Sequence, residues 1–367
     1  MIPLFKVHMP ETVMEPLKAV LMSGYIGQGP KVDEFERALI PWMGNPNILS
    51  LNSGTSALHL ALRLAGVEPG TDVVSTPMTC SATNVPILER GASVTWADIN
   101  PWTGNIDPVD VERKITPGKT KAIMAVHWGG YPCELAELRA IATKYKVALI
   151  EDAAHAFGAT YRGRKIGTFG DYVAFSFQAI KHLTTVDGGA LACRTSDGYR
   201  RGKLLRWYGI DRDTSKADLR CEEDLISYGY KFHMNDVNAA IGLEQLKHVG
   251  KIIARHRENA AFYRSRFATL KNVKLLRYET DRDSACWLFT MRVRDRESFS
   301  LFMEQKGVHV SRVHVRNDSH TAFAAFRRNL PGVDEWEREQ VSIPVGWWVT
   351  DEDRLLIAKA VEEWSDL

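Results

Sequence analysis

Lys181 stands in the run Tyr172-Val-Ala-Phe-Ser-Phe-Gln-Ala-Ile-Lys-His-Leu-Thr-Thr-Val-Asp-Gly-Gly, after an apolar, aromatic-rich strand pattern and before a paired-glycine turn. Asp152 ends another apolar run, Val147-Ala-Leu-Ile-Glu-Asp-Ala-Ala-His. A lysine and an aspartate at the ends of neighbouring core strands are the pair that pyridoxal phosphate (PLP) chemistry needs. The amine holds the cofactor aldehyde as a Schiff base, and the carboxylate keeps the pyridine nitrogen protonated so that the ring accepts electrons. Each residue also has a plainer reading. A lysine after a strand is usually a solvated surface residue, and an aspartate there can cap the next helix.

Three further segments bear on that chemistry. Asn52-Ser-Gly-Thr-Ser-Ala-Leu-His-Leu-Ala-Leu opens a helix with small polar residues, so Gly54, Thr55 and Ser56 present backbone N–H groups at a positive helix end. That is an anion site suited to a phosphate, or simply an N-cap. Ser176 falls near the same strand end as Lys181 and has a hydroxyl to offer that phosphate; the alternative is a serine satisfied within its strand. Around Asp152 the small residues of Glu151-Asp-Ala-Ala-His-Ala-Phe-Gly-Ala leave room for a flat ring close to backbone. His155 is placed to bond the cofactor's phenolic oxygen or the substrate, or else to serve as a buried histidine bonded to backbone.

These residues require a scaffold that brings strand ends together. From about residue 50 to 195, short apolar runs (73–76, 94–97, 122–127, 147–150, 172–177, 190–193) alternate with helical patterns (56–65, 81–88, 108–115, 134–145). That alternation argues for an α/β fold with a mostly parallel sheet covered on both faces, whose ligands sit beyond the carboxyl ends of the strands. A long helical pattern over 235–266 then bridges to a second unit, with strands expected at 285–293 and 308–315 and helices at 296–306 and 351–364. The boundary is expected near residue 245. The charged segment from Asp211 to Asp224 reads as an exposed loop.

A hydrophobic content of 45%, a charged content of 25% and a formal charge of +2 are ordinary for a globular protein. They imply no polyanion partner, and no basic block with interleaved aromatics suggests nucleic-acid binding. Five scattered cysteines (Cys80, Cys133, Cys193, Cys221, Cys286) form no metal-like pairs and fit reduced thiols, hence no metal site and a cytoplasmic location. No secretory leader pattern and no membrane-length apolar run is apparent, so no membrane partner is expected.

With its motifs taken in order, the chain resembles the DegT/StrS-type sugar-nucleotide aminotransferases, PLP enzymes of fold type I (aspartate aminotransferase-like). The resemblance runs from Ser23-Gly-Tyr-Ile-Gly-Gln-Gly-Pro through Asn52-Ser-Gly-Thr-Ser-Ala-Leu, Lys119-Thr-Lys-Ala-Ile-Met-Ala-Val-His-Trp-Gly-Gly and the Asp152 segment. It is strongest at Phe175-Ser-Phe-Gln-Ala-Ile-Lys-His and ends at Gly229-Tyr-Lys-Phe-His-Met-Asn-Asp-Val-Asn. It implies a large PLP-binding domain over residues 1–245, with a mixed, mostly parallel sheet between helices, and a smaller α+β domain over 246–367.

The resemblance also implies roles. Lys181 would carry the Schiff base and then shuttle the proton, Asp152 would partner the pyridine nitrogen, and Ser176 with Gly54, Thr55 and Ser56 would cradle the phosphate. Lys231 would reach that phosphate from the neighbouring subunit, which makes a homodimer with composite active sites. Arg312, His314 and Arg316 would lie near the site and meet a diphosphate, or else be solvated charges at a strand end. The implied reaction moves an amino group from an amino acid, glutamate in the family, through pyridoxamine phosphate to a keto-sugar nucleotide. A keto-cyclitol acceptor is the alternative among enzymes, and a PLP-binding regulator without turnover is the alternative outside them. Lys181 argues against the dehydrating relatives, which carry histidine there. Three positions depart from the family pattern: Cys80 where an aromatic residue commonly covers the ring, Val186-Asp187-Gly188-Gly189 for Gly-Glu-Gly-Gly, and His233 for a frequent arginine.

Overall fold

A computed structural model describes residues 1–213, 224, 225 and 227–367. Most of the loop expected at 211–224, Cys221 included, therefore lies outside the described residues. The central sheet contains β1 (Ile48–Leu51), β2 (Asp72–Ser75), β3 (Ser93–Trp96), β4 (Thr120–Val126) and β5 (Ala148–Asp152). A short hairpin of β6 (Thr160–Tyr161) and β7 (Arg164–Lys165) intervenes before β8 (Tyr172–Ser176) and β9 (Gly189–Cys193) complete the sheet. The strand order is β1-β9-β8-β5-β4-β2-β3. Strands β3, β2, β4, β5 and β8 run parallel, and β9 is antiparallel to both β8 and β1.

The parallel strands are buried on both faces, which is why β4 reads as the nearly continuous apolar run Thr-Lys-Ala-Ile-Met-Ala-Val. Its side chains alternate between two cores: Ile123 and Ala125 join one apolar cluster, Ala122 and Met124 the other. Helices α1 (Met14–Met22) and α2 (Pro30–Met43) precede the sheet. Helices α3 (Gly54–Leu64), α4 (Ser81–Glu89), α5 (Pro108–Lys114), α6 (Leu135–Tyr145) and α7 (Ser196–Arg206) are interleaved with its strands. The crossovers expected from the sequence are present within a residue or two at either end.

Helix α8 (Asp236–Phe267) begins at Asn235, whose side chain accepts the Asn238 N–H at 2.9 Å. It continues unbroken through residue 245, so the expected division falls inside a helix. Beyond it, β10 (Val273–Leu275), β12 (Phe289–Val293) and β13 (Gln340–Ile343) form an antiparallel sheet, and β11 (Arg282–Asp283) pairs with β6. Helices α9 (Arg296–Gln305), α10 (Pro331–Glu339) and α11 (Asp351–Ser365) complete this half, which has its own apolar core. The N-terminus pairs with it: Ile2 donates to the Gly307 carbonyl at 2.7 Å and accepts from the His309 N–H at 3.0 Å.

Two strand expectations are corrected. Residues 308–315 make only isolated bridges, Ile2 with Val308 and Ser311 with Ser342. Val313 has φ 63°, a left-handed conformation that a β-branched residue rarely adopts and that breaks the extended run. Of 285–293 only Phe289–Val293 is strand, because the N–H groups of Ala285 and Leu288 turn to the carbonyls of Gly130 and Gly129. Among the described residues no helix is long and apolar enough to cross a membrane.

Candidate active site

The parallel strands deliver Asp152 and Ser176 to the same carboxyl end of the sheet, because Asp152 pairs in register with Ala174 of the adjacent strand. A cavity of about 400 Å³ opens there, lined by Ser53, Gly54, Thr55, Asp152, His155, Ser176 and Lys181 together with Thr79, Cys80 and Thr83. Its size and its mixture of apolar walls with a few polar groups suit a small organic ligand.

Lys181 lies just past β8, in a turn in which its backbone N–H donates to the Gln178 carbonyl at 3.0 Å. Its Nζ is 3.6 Å from the centroid of the Trp287 ring. Trp287 is itself fixed: its indole N–H donates to the Ile180 carbonyl at 3.0 Å, and its ring stacks on Phe5 (5.0 Å) and His155 (3.9 Å). Burial lowers the Lys181 pKa from 10.5 to about 8, against the opposing pull of Asp152 and Cys80. An amine in this setting is a reactive base near neutrality, unlike a solvated lysine.

Asp152 is 6% exposed. Its Oδ2 accepts the Thr83 hydroxyl at 2.7 Å, its Oδ1 accepts the Ala154 N–H at 3.1 Å, and its carbonyl accepts the His127 N–H at 3.2 Å. Glu151, its neighbour on β5, points to the opposite face of the sheet. There it bonds His127 Nε2 at 2.8 Å and accepts the Gly170 N–H. The Cys133 N–H donates to His127 Nδ1 at 3.1 Å, which leaves the imidazole proton on Nε2, directed at Glu151. Of the two adjacent carboxylates, only Asp152 faces the cavity.

At the N-terminus of α3, Ser53 is the cap, and its Oγ accepts the Ser56 N–H at 3.0 Å. The Ser56 hydroxyl donates to Asn52 Oδ1 at 2.6 Å. Ser56 is thereby committed to the cap and stays out of the cavity, while Ser53 takes a place that sequence reading had not given it. Gly54 meets a close approach: a Cβ there would lie 2.9 Å from Ser176 Cβ and 3.2 Å from its Oγ.

Among the three substrate candidates only His314 lines the cavity. Arg312 pairs with Glu337 at 2.7 Å, and Arg316 is clamped by Asp318 at 2.6 Å and by Asp334. Both guanidinium groups are taken up by carboxylates of the C-terminal half. Among the described residues, His314 Nε2 and His155 Nδ1 are buried without a hydrogen-bond partner. Burial lowers His314 to about 4 and His155 well below the usual histidine range, so both rings are neutral near pH 7. Lys231 is exposed and does not line the cavity of its own chain. His233 packs against Trp207 at 3.8 Å and is lowered to about 4 by burial and nearby Arg206. Sequence reasoning missed Thr79, Thr83, Phe5, Trp287 and Val313. Only the two threonines carried a signal, since they flank Cys80 in Pro77-Met-Thr-Cys-Ser-Ala-Thr-Asn.

These residues fit PLP. A glycine cradle that a single Cβ would fill lies beside Ser176, a buried histidine nitrogen has no partner among the described residues, and a desolvated lysine shares the cavity with a carboxylate held at a strand end. The DegT/DnrJ/EryC1/StrS aminotransferase family model matches residues 8–362. The chain belongs to that family. It is 42% identical to the sugar aminotransferase CalS13 from Micromonospora echinospora, whose crystal structure superposes with a TM-score of 0.95 over 99% of this chain and 100% of that one. It is 31% identical to the spore coat polysaccharide biosynthesis protein SpsC of Bacillus subtilis, over 95% of this chain and 93% of SpsC. The PLP form of a putative sugar aminotransferase from Streptococcus pneumoniae, Spr1654, is 26% identical, with a TM-score of 0.91 over 100% of this chain and 98% of that one. The protein is a PLP-dependent aminotransferase of fold type I.

Two expectations follow from the site geometry. The neutral amine is the form that bonds an aldehyde, so capture of PLP by the apoprotein should speed up as pH rises to about 8 and level off above it. A stopped-flow rate still climbing past pH 9 would show a lysine with an ordinary pKa. Gly54→Ala drives a methyl group into Ser176. It should weaken PLP retention by about tenfold or more, the cost of losing one hydrogen bond to a charged group. Equilibrium dialysis measures the effect, and an unchanged melting temperature of the apoprotein shows that it is local.

Proposed function

We propose that the enzyme moves an amino group from an amino acid, with glutamate as donor, to a keto-sugar carried on a nucleotide. The observation that carries this reading is the convergence of Lys181, Asp152, Ser176 and Gly54 on one cavity in a chain whose relatives include sugar aminotransferases. PLP supplies an electron-accepting ring and an aldehyde carbon to which the lysine bonds. In this reading Lys181 would hold the cofactor and, as a free amine, would move the proton of the substrate α-carbon. Its position near a pKa of 8 suits that work, which typically contributes about 10²- to 10⁴-fold. Asp152 would bond the ring nitrogen, and Ser176, Gly54 and Thr55 would hold the phosphate. His155 and His314, both neutral, offer hydrogen bonds without adding charge.

Lys181 is the one lysine or arginine among the described residues lining the cavity. Substrate carboxylates and a diphosphate therefore need cations from elsewhere, which supports a homodimer whose sites are completed by Lys231 of the partner subunit. The exposed apolar residues Met14, Leu21, Met22, Tyr25 and Ile26 offer a surface for that association. The division into a cofactor domain (1–245) and a smaller domain (246–367) belongs to this reading. So does a cytoplasmic location, which is supported by the free thiols of Cys80, Cys133, Cys193 and Cys286.

The test is spectroscopic. Glutamate added to the holoenzyme should bleach the visible band of the lysine-bound cofactor, and a dTDP-, UDP- or GDP-linked keto-sugar should restore it. Return of the band only with a keto-cyclitol would replace the acceptor. A band unmoved by any amino acid would replace the reaction with a binding role.

A further inference from the structure

Thr83 sits on the first turn of α4, one helical turn beyond Thr79, and both are essentially buried, at 1% and 2% exposure. Thr83 Oγ1 lies 2.7 Å from Asp152 Oδ2 and 2.8 Å from Thr79 Oγ1. The directions of these bonds follow from the chemistry of the groups. An ionised carboxylate only accepts, so the Thr83 hydroxyl donates to Asp152; its oxygen is then left to accept the proton of Thr79. The second carboxylate oxygen is held by the Ala154 N–H at 3.1 Å.

The far end of the chain is anchored as well. The Thr79 carbonyl accepts Asn317 Nδ2 at 2.8 Å, and Asn317 Oδ1 accepts Asn84 Nδ2, also at 2.8 Å. The loop before α4 is thus tied to the segment that carries Val313 and His314 into the cavity. All members of the Thr79–Thr83–Asp152 chain line that cavity.

We infer that Thr83 is a positioning residue for the cofactor. Its hydroxyl, oriented by Thr79, fixes the Asp152 carboxylate in the rotamer that meets the ring nitrogen. The inference rests on the proposed role of Asp152. A buried carboxylate held by two donors presents its remaining lone pairs in one direction; with one donor removed it turns, and the charge-assisted bond to the ring loses its geometry. Thr83 would act through Asp152.

The experiment measures PLP affinity by equilibrium dialysis, and the absorbance spectrum with its pH titration, for the holoenzyme and four variants: Thr83→Val, Thr83→Ser, Thr79→Val and Asp152→Ala. Thr83→Val keeps the shape and removes the donor, and should weaken PLP by about 10- to 100-fold, the range for a hydrogen bond to a charged group. It should also displace the titration of the visible band, whereas Thr83→Ser should restore both. Thr79→Val, which leaves the direct bond in place, should weaken PLP only a few-fold and guards against Thr83→Val failing to fold. In an Asp152→Ala background neither threonine substitution should have any further effect, and the melting temperature of the apoprotein should be the same with Thr83 or Val at position 83. A Thr83→Val enzyme with wild-type affinity and titration, or effects that add to those of Asp152→Ala, would overturn the inference. If Asp152→Ala itself retained wild-type PLP affinity, the assignment of Asp152 would fail first, whatever Thr83 does.

Discussion

Lys181→Ala is expected to fold, to retain PLP weakly through the phosphate cradle, and to lose amino transfer. With the roles proposed for Lys181, two contributions vanish together. The covalent attachment goes, and with it the visible band of the lysine-bound cofactor. The base that moves the proton also goes, a loss of about 10²- to 10⁴-fold from that step alone. The surroundings of Lys181 argue against replacement by another group. Its neighbours His155, His182 and His314 are all held below the usual histidine range by burial, with the charge of Lys181 among the further causes. They are neutral, but none is placed at the end of a flexible stem able to leave and return as the donor and acceptor exchange. Restoring an amine chemically, with a small alkylamine in the assay buffer, should recover part of the rate if proton transfer limits the variant. Recovery measured against amine concentration separates the lost base from a general disturbance of the site.

Asp152→Ala is expected to have the second largest effect. Removing one partner of a buried charge pair leaves the other uncompensated, at a cost of about 3–5 kcal/mol, or roughly 10²- to 10⁴-fold in cofactor affinity. The carboxylate makes no ion pair with a lysine or arginine within the described residues; its bonds are to a hydroxyl and a backbone N–H. In the proposed reading, the positive partner of this carboxylate, at 6% exposure, is the protonated ring nitrogen. Titration calorimetry of the apoprotein with PLP gives the affinity directly. The turnover of the saturated variant should also fall, because an unprotonated ring accepts electrons poorly. A variant that bound PLP weakly but turned over normally at saturation would assign Asp152 to binding alone.

Strands β4, β5 and β8 were legible because parallel strands buried on both faces write themselves as apolar runs, and their carboxyl ends placed Asp152 and Ser176 correctly. Helix α3 was legible from its small polar start; Ser53 is its cap, and the Ser56 hydroxyl is taken up by Asn52. Helix α7 carries no apolar stripe to be read. Its sequence, Ser-Asp-Gly-Tyr-Arg-Arg-Gly-Lys-Leu-Leu-Arg, packs through Gly202, where a Cβ would lie 2.7 Å from Leu49, and through Arg206, which is buried against Glu36 and the Ser50 carbonyl.

The wall opposite Lys181 was illegible for a different reason. Phe5 and Trp287 are far apart in sequence, and their stacking depends on the N-terminal segment lying against the C-terminal half, which no local pattern announces. Arg312 and Arg316 read either as diphosphate contacts or as solvated charges, and the fold pairs them with Glu337, Asp318 and Asp334. Charge type is visible in a sequence, whereas pairing is a property of the folded chain.

The most direct test of the account is where the cofactor is attached. Borohydride reduction of the holoenzyme, followed by proteolysis and peptide mass mapping, should place a stable pyridoxyl group on the peptide containing Lys181 and on no other. Reduction that labels a different lysine, or that leaves Lys181 unmodified while the visible band disappears, would contradict the account at its centre.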